Sequence, residues 1–312
     1  MTTLTNFPSN ENLSLLEQHF EFFREYGYDD LNFSALYKWA VIINHFHNCF
    51  PEPKDLRILD IGGGLGPLDQ YFSNYGKVVS IDIKNDRSTW FPVGEKGFYK
   101  NGKKFNFDNT NLERICGNFF DSPELFDRQS FDFIYDGCSM IHFSDYGKDE
   151  NTFNSLHKVC CIVESLLKED GYFVTCSDVA HPNSFQFRDM IYAENFAKAI
   201  LSSGLEPKDP LDFSFENFTE AKKNLNLPNY QSAGLSSVND PLGLLVHTYS
   251  SGRAGMTITV FQSCFTKKPS NYKKLDTFSK SDFKRENWRN KLTKIFGFLR
   301  VGFRRYFSSA HD

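Results

Sequence analysis

The run Arg57-Ile-Leu-Asp60-Ile-Gly62-Gly-Gly64-Leu-Gly66-Pro67, followed by Val78-Val-Ser-Ile-Asp82, restricts this chain more than any other segment. Apolar residues leading into a glycine cluster predict a buried strand and a tight turn. A turn pressed against a ligand has no room for Cβ atoms and often needs positive φ. Pro67 suits the first turn of a helix, where its missing N–H costs nothing. Leu68, Tyr71 and Phe72 then follow at helical spacing, with a stop near Gly76. Val78 to Asp82 is a second strand ending in a carboxylate, placed to accept hydrogen bonds from ribose hydroxyls. The unit is of the nucleotide-binding α/β kind and would hold an adenosine-containing ligand.

Spacing narrows the ligand. A dinucleotide fingerprint, G-x-G-x-x-G, would put its third glycine at 67, where this chain has proline. Glycines at 62, 64 and 66 preceded by Asp60 instead resemble motif I (D-x-G-x-G-x-G) of the class I S-adenosylmethionine-dependent methyltransferases. Such a site has no pyrophosphate to cradle on a helix N-terminus.

Further along, a short strand at Arg114 to Cys116 leads into Gly117-Asn118-Phe119-Phe-Asp121, and Phe131 to Tyr135 forms a fourth strand ending at Asp136. A helix carrying Phe153, Leu156, Val159, Cys160, Val163 and Leu166 on one face stops at Lys168-Glu-Asp-Gly171, with Gly171 as its C′ cap. Tyr172 to Cys176 is a fifth strand. Near the end, 243–249 and 256–261 flank a glycine-containing loop and predict a hairpin. Strands alternating with helices imply a parallel sheet covered on both faces. Five parallel strands plus a C-terminal antiparallel hairpin resemble the Rossmann-like, seven-stranded mixed sheet of the same family, over about 55–266.

Residues 11–47 show helical apolar spacing and form an N-terminal helical cap, so that 1–54 precedes the methyltransferase-like domain. Residues 85–108, rich in Gly, Lys and Asn, read as a loop insertion. Residues 181–241 are longer than a crossover helix requires; a helix over 184–201 and a Pro-, Asn- and Asp-rich stretch after it are expected to shape an acceptor pocket.

The resemblance implies S-adenosylmethionine as cofactor, with contacts from Asp60, Gly62, Gly64, Gly66, Asp82, Asn118, Phe119 and Asp136. Asp60 would lie near the methionine amino group. Asn118 stands where the family usually has aspartate; its amide oxygen can still accept from an adenine amino group, or it caps a turn. Ser139-Met-Ile-His142-Phe143 is similar to the segment facing the acceptor in small-molecule methyltransferases. His142 suits general-base work near neutrality, with Asp178 and His181 as further base or orienting groups on the sheet's carboxyl edge. Asp136 and Asp178 could share a divalent cation, but Val179 stands where the metal-dependent relatives carry a further ligand, so no catalytic metal is expected. The implied activity is O-methylation of a small molecule or glycan, or cofactor binding by a partner protein without catalysis.

Composition bears on partners and location. No Asn-Pro-Pro-Tyr or Asp-Pro-Pro-Tyr sequence follows the fourth strand, and the chain carries a net charge of −4. From Lys267 onward 13 basic residues face 4 acidic ones, a net of +9, which leaves −13 for residues 1–266. An acidic body opposes a phosphate-binding face, so nucleic acid is not expected. The seven cysteines include no C-x-x-C pair and read as reduced thiols. With no signal-type N-terminus, the expected location is cytoplasmic. In the tail 267–312, residues 284–307 place aromatic and aliphatic residues at intervals of three and four among arginines and lysines. That pattern fits an amphipathic helix on an anionic membrane surface, or docking on the acidic body or on another subunit.

Overall fold

The computed structural model describes residues 6–7, 10–25, 33–63, 66–83, 93–94, 97–100, 103–104, 110–145, 152–180, 192–213, 247–249 and 256–268. Two helices, α1 (Asn10–Glu25) and α2 (Phe33–Cys49), precede β1 (Leu56–Ile61), α3 (Pro67–Phe72) and β2 (Gly76–Asp82). Three short strands follow, β3 (Val93–Gly94), β4 (Gly97–Lys100) and β5 (Lys103–Lys104), then β6 (Leu112–Cys116), α4 (Ser122–Leu125) and β7 (Phe131–Asp136). The remainder comprises α5 (Thr152–Leu166), β8 (Leu167–Ala180), α6 (Ala193–Ser202), β9 (Leu205–Pro207), β10 (His247–Tyr249) and β11 (Met256–Lys267).

The main sheet has the order β10-β11-β8-β7-β1-β2-β6, with β9 also paired to β11. Strands β6, β2, β1, β7 and β8 run parallel to their neighbours, while β11 is antiparallel to both β8 and β10. This is the expected Rossmann-like, seven-stranded mixed sheet with its terminal hairpin.

Both faces of the sheet are buried, and the two-residue period of each strand sorts its side chains between them. Ile58, Val78, Phe133 and Val174 pack with α1, α2 and α3, whereas Leu59, Val79, Ile134 and Phe173 pack with α5 and α6. Helix α2 is accordingly one layer of the core. Leu36, Tyr37, Ala40, Val41, Ile43 and Phe46 are all fully buried, and the Phe46 ring lies 4.7 Å from Phe72 and 5.1 Å from Phe133. Interlocking rings at these spacings add roughly 1 kcal/mol each beyond the area they bury.

Three local expectations change. Residues 93–104, expected as loop, contain the small antiparallel sheet β3-β4-β5; its two-residue arms carry little of the alternation by which longer strands are recognised. Gly171 does not cap α5, because β8 begins directly after Leu166. The β7–β8 register instead slips between Phe131 and Phe133, and a Cβ on Gly171 would come within 2.8 Å of the Leu167 side chain and 3.1 Å of Asp132 O. Glycine is thus required by close packing at a bulge. Leu205–Pro207, expected as irregular, adds a strand to β11.

One edge of β11 is covered in instalments. β10 pairs with its start (Tyr249 opposite Met256 to His247 opposite Ile258), and β9 pairs with its end (Pro207 opposite Phe265). Between them the Gln262 N–H donates to Asn6 O at 2.9 Å, and the Asn6 side-chain amide donates back to Gln262 O at 2.9 Å.

Candidate functional site

The chain leaves β1 toward β2 and β6 on one side and returns to β7 and β8 on the other, so the carboxyl ends of β1 and β7 form the topological switch point of the sheet. Open α/β sheets bind ligands in the crevice outside this point. The glycine run emerges there. Gly62, directly after β1, has φ of 70° and donates its N–H to Ile81 O at 2.8 Å. A Cβ on it would stand 2.5 Å from Ser139 Cβ, so this glycine is demanded by the protein itself. A Cβ on Gly63 would collide with the Asp60 carboxyl. Gly66 is different: the nearest atom to a Cβ there is Gly63 O at 3.7 Å. Among the described residues nothing requires its bareness, which leaves room for a ligand. Gly64 lies outside the described residues.

Beneath the turn, the sheet register aligns Ser80, Asp60 and Tyr135 side by side on three adjacent strands. Asp69, from the first turn of α3, completes the group. Ser80 Oγ donates to Asp60 Oδ2 at 3.1 Å, Tyr135 Oη donates to Asp69 Oδ1 at 2.7 Å, and the Gly66 N–H donates to Asp69 Oδ2 at 3.0 Å. The last bond is one half of a capping box at the start of α3. Asp60 and Asp69 are only 2% and 0% exposed and are hydrogen-bonded to each other. Burial and the neighbouring Asp69 hold the Asp60 carboxyl well above the usual carboxylate range, while burial raises Asp69 to about 6 despite the donors around it. Two carboxyls in contact cannot both ionise cheaply, and Asp60 is the one that keeps the proton. Asp60 thus belongs to a carboxyl pair supporting the glycine turn.

Asp136 faces the opposite side of the sheet and is fully buried. One oxygen accepts from Ser139 N (2.7 Å), Ser139 Oγ (2.7 Å) and Met140 N (3.0 Å); the other accepts from Thr175 Oγ1 (2.9 Å) and Ser177 Oγ (2.6 Å). Ser139 Oγ also reaches Ile61 O. Five donors occupy the carboxylate and fix the segment after β7 against β1 and β8.

The other expected cofactor residues surround the crevice. Asp82 ends β2, partly exposed, and its carbonyl accepts from Gly117 N at 3.0 Å. Asn118 caps the 3-10 turn Phe119–Asp121 by accepting from Phe120 N at 3.1 Å. This is the turn-capping alternative, and a second lone pair remains on that oxygen. Phe119 is 2% exposed and stacks on Phe143 at 5.8 Å.

Of the expected catalytic groups, Asp178 sits near the end of β8, with Lys38 Nζ of α2 at 2.8 Å from its carboxylate. Lys38 is 7% exposed. Burial opposes its charge, but Asp178 and Cys138 outweigh that and hold the ammonium above its ordinary pKa. An ammonium this close stabilises the Asp178 anion and weakens it as a base. Cys138 has φ of 100°, a conformation L side chains rarely adopt, and its sulfur accepts from Asp178 N at 3.4 Å. His142 falls in the 3-10 helix Met140–Asp145, with its side chain outside the described residues; His181 lies wholly outside them. Among the described residues no group of three His, Cys, Asp or Glu could hold a metal ion.

Asp69, Tyr135 and Lys38 were not singled out by the sequence reading. Asp69 had a signal, an acid three residues after the helix N-cap. Lys38 had a fainter one, a lone cation among Leu36, Tyr37, Ala40 and Val41. Tyr135 had none, because an aromatic in a buried strand is ordinary core.

No family model matches the chain, and no curated protein matches it. Solved structures similar to it at 12–15% identity are mostly S-adenosylmethionine-dependent methyltransferases. The 1,6-didemethyltoxoflavin-N1-methyltransferase of Burkholderia thailandensis, solved with S-adenosylhomocysteine, is 13% identical over 86% of this chain and 93% of that one, with a TM-score of 0.41. The geranyl diphosphate C-methyltransferase of Streptomyces coelicolor is 13% identical over 74% and 79%, with a TM-score of 0.44. The [4+2]-cyclase SpnF is 12% identical, at a TM-score of 0.39; the match covers 54% of this chain and little more than half, 57%, of that one.

Proposed function

We propose that this protein binds S-adenosylmethionine at the carboxyl ends of β1, β2 and β6 and transfers its methyl group to a hydroxyl of a small molecule or glycan. The observation that carries the reading is the glycine turn at the switch point, where a Cβ on Gly66 would meet no described atom closer than Gly63 O at 3.7 Å, beside an acidic floor. Asp60, Asp69 and Asp82 interact there, with Arg114 near Asp69 as the opposing charge. With Asp60 protonated, Asp69 and Asp82 give this floor the acidic character that suits a ligand bearing sulfonium and ammonium charges and repels the pyrophosphate of a dinucleotide. Bound there, the cofactor would supply an electrophilic methyl group.

Asp82 would hold the ribose hydroxyls, and the spare lone pair of Asn118 would face the adenine. Orientation supplies most of the barrier reduction in a displacement of this kind, up to roughly 7–11 kcal/mol for well-aligned reactants. The Lys38–Asp178 pair borders the crevice as a positioning dipole, and His142 is the proposed general base for the acceptor hydroxyl. The Asp136 carboxylate, filled by five protein donors, would orient the segment carrying His142.

Titration calorimetry with S-adenosylmethionine, S-adenosylhomocysteine and NAD tests the cofactor. The first two are expected to bind and NAD not to, and Asp82→Ala should abolish binding. Tight NAD binding, or unchanged affinity in Asp82→Ala, would overturn the assignment. Turnover is read with an isotopically labelled methyl donor and a panel of hydroxylated acceptors. Label transfer that drops on His142→Ala supports the reading, whereas binding without transfer to any acceptor favours a cofactor-binding partner protein.

The basic amphipathic pattern of 284–307 supports contact with an anionic membrane surface, and it lies outside the described residues. Among the described residues no helix is long and apolar enough to cross a membrane. Liposome pelleting of the full chain against one ending at Lys280 checks this, and equal soluble fractions would end the idea.

A further inference from the structure

Far from the glycine turn, three elements bring two thiols and a cation together. Cys49 is the last residue of α2, Cys264 lies on β11, and their sulfurs are 3.5 Å apart. Lys208, just past β9, places Nζ 3.5 Å from Cys49 Sγ and 3.0 Å from Asn48 O, and 5.1 Å from the Tyr172 ring centre. Cys264 is 2% exposed and Cys49 is half-buried, so only Cys49 meets small solutes.

The end of a helix ordinarily disfavours an anion, because its free carbonyls point outward with partial negative charge. Here the Lys208 ammonium occupies one of those carbonyls and touches the sulfur as well, reversing the local field. Hydrogen bonding from Cys264, followed by the Lys208 charge, lowers the Cys49 pKa against burial and the nearby Asp209. Cys264 is pushed the other way and remains a thiol. One sulfur is thus the nucleophile and its neighbour the resolving partner.

We infer that Cys49 and Cys264 form a dithiol modification site that hydroperoxides convert to a disulfide joining α2 to β11. The Cys49 thiolate attacks the peroxide, its S–O bond forming as the O–O bond breaks; the hydroxide released takes up the thiol proton and leaves as water. The Cys264 sulfur then attacks the Cys49 sulfenic acid, and the hydroxyl departs with the Cys264 proton as a second water. Two thiols and one hydrogen peroxide give one disulfide and two waters, with both thiols oxidised and the peroxide reduced. The sulfurs must close from 3.5 Å to about 2.05 Å.

The full-length protein, treated with stoichiometric hydrogen peroxide and digested without reductant, provides the test by peptide mass mapping. The expected product is a peptide pair linking Cys49 to Cys264 in the monomer, two hydrogen masses lighter than the free peptides and restored by dithiothreitol. Cys264→Ser should leave a sulfenic acid on Cys49 that dimedone captures. Lys208→Met, which removes the cation 3.5 Å from Cys49 Sγ, should slow the linkage several-fold. Wild-type protein that loses only the exposed Cys116 thiol, or that carries sulfinic acid on Cys49 with no link, would overturn the inference without reference to any variant. Because neither thiol borders the crevice, either result is independent of the methyl-transfer reading.

Discussion

Asp60 and Asp136 stand at the carboxyl ends of neighbouring strands, facing opposite sides of one sheet, and both are hidden from solvent. Asp136 accepts five hydrogen bonds. Asp60 accepts one from Ser80 and shares its remaining contact with another carboxyl, Asp69. A carboxylate saturated with donors serves as a fixed staple. A carboxyl short of donors and beside a like charge must keep its proton. Burial alone therefore does not define what an acidic residue does in this site; the donors facing it do.

The largest effect that tests this contrast is expected from Asp136→Ala, which leaves five donors without their acceptor. Urea denaturation at pH 7.5 should show a loss of about 3–5 kcal/mol. A loss under about 1 kcal/mol would mean that the donors find other partners and that the contrast is illusory.

The pH dependence of stability comes next. Asp69 is raised to about 6 in the folded chain, against about 3.9 unfolded. Between these values the folded state holds more protons, so stability must fall as pH rises, by about 2–3 kcal/mol for this group. Asp60, held well above the usual carboxylate range by burial and the neighbouring Asp69, adds to the fall in the same direction. Asp60→Asn, which keeps a donor toward Asp69, should flatten the slope between pH 4.5 and 8 and raise stability at pH 8 by about 1 kcal/mol. A mutant with the wild-type slope would place the proton elsewhere.

Tyr135→Phe removes one donor from Asp69 and should cost about 1–2 kcal/mol at pH 8, where Asp69 is ionised, and less at pH 5. Equal losses at the two values would show the hydroxyl to be unconnected with the carboxyl pair. Smallest in stability is Gly66→Ala, expected to change unfolding by under about 0.5 kcal/mol, since a Cβ there meets nothing closer than 3.7 Å. Its effect should appear in S-adenosylmethionine affinity alone. A destabilised Gly66→Ala with unchanged affinity would remove Gly66 from the cradle.

The parts of this site written in one stretch of chain were legible in the sequence. Gly62, Gly66 and Asp82 fall within a strand-turn-helix-strand unit whose periodicity and spacing are local. The parallel core of the sheet followed from the alternation of strands and helices. What escaped depends on pairs brought together by packing. Tyr135 meets Asp69 across 66 positions, and Lys38 of α2 reaches Asp178 of β8 only because α2 lies flat on the sheet. Sequence reading treated 1–54 as a cap and so had no reason to aim Lys38 at the crevice. It also read Asp136 as open to a ligand, because two of its five donor groups, the hydroxyls of Thr175 and Ser177, become neighbours only when β7 and β8 pair. Gly171 misled for a similar reason. A glycine after a helix ordinarily marks its end, whereas here the contact with Asp132 O, on the neighbouring strand, sets the requirement.

The patchwork along β11 bears on how the chain reaches its folded state. Asn6 and Gln262 are separated by 256 positions, so the gap between β9 and β10 closes only after nearly all of the described sheet has been synthesised. Until then a growing chain would carry an open strand edge, the surface on which another molecule's strand can add. Contacts of such long range also form late, since loop closure must be paid for first. Asn6, made among the first of the described residues, thus waits for β11, made among the last of them, before this edge is covered.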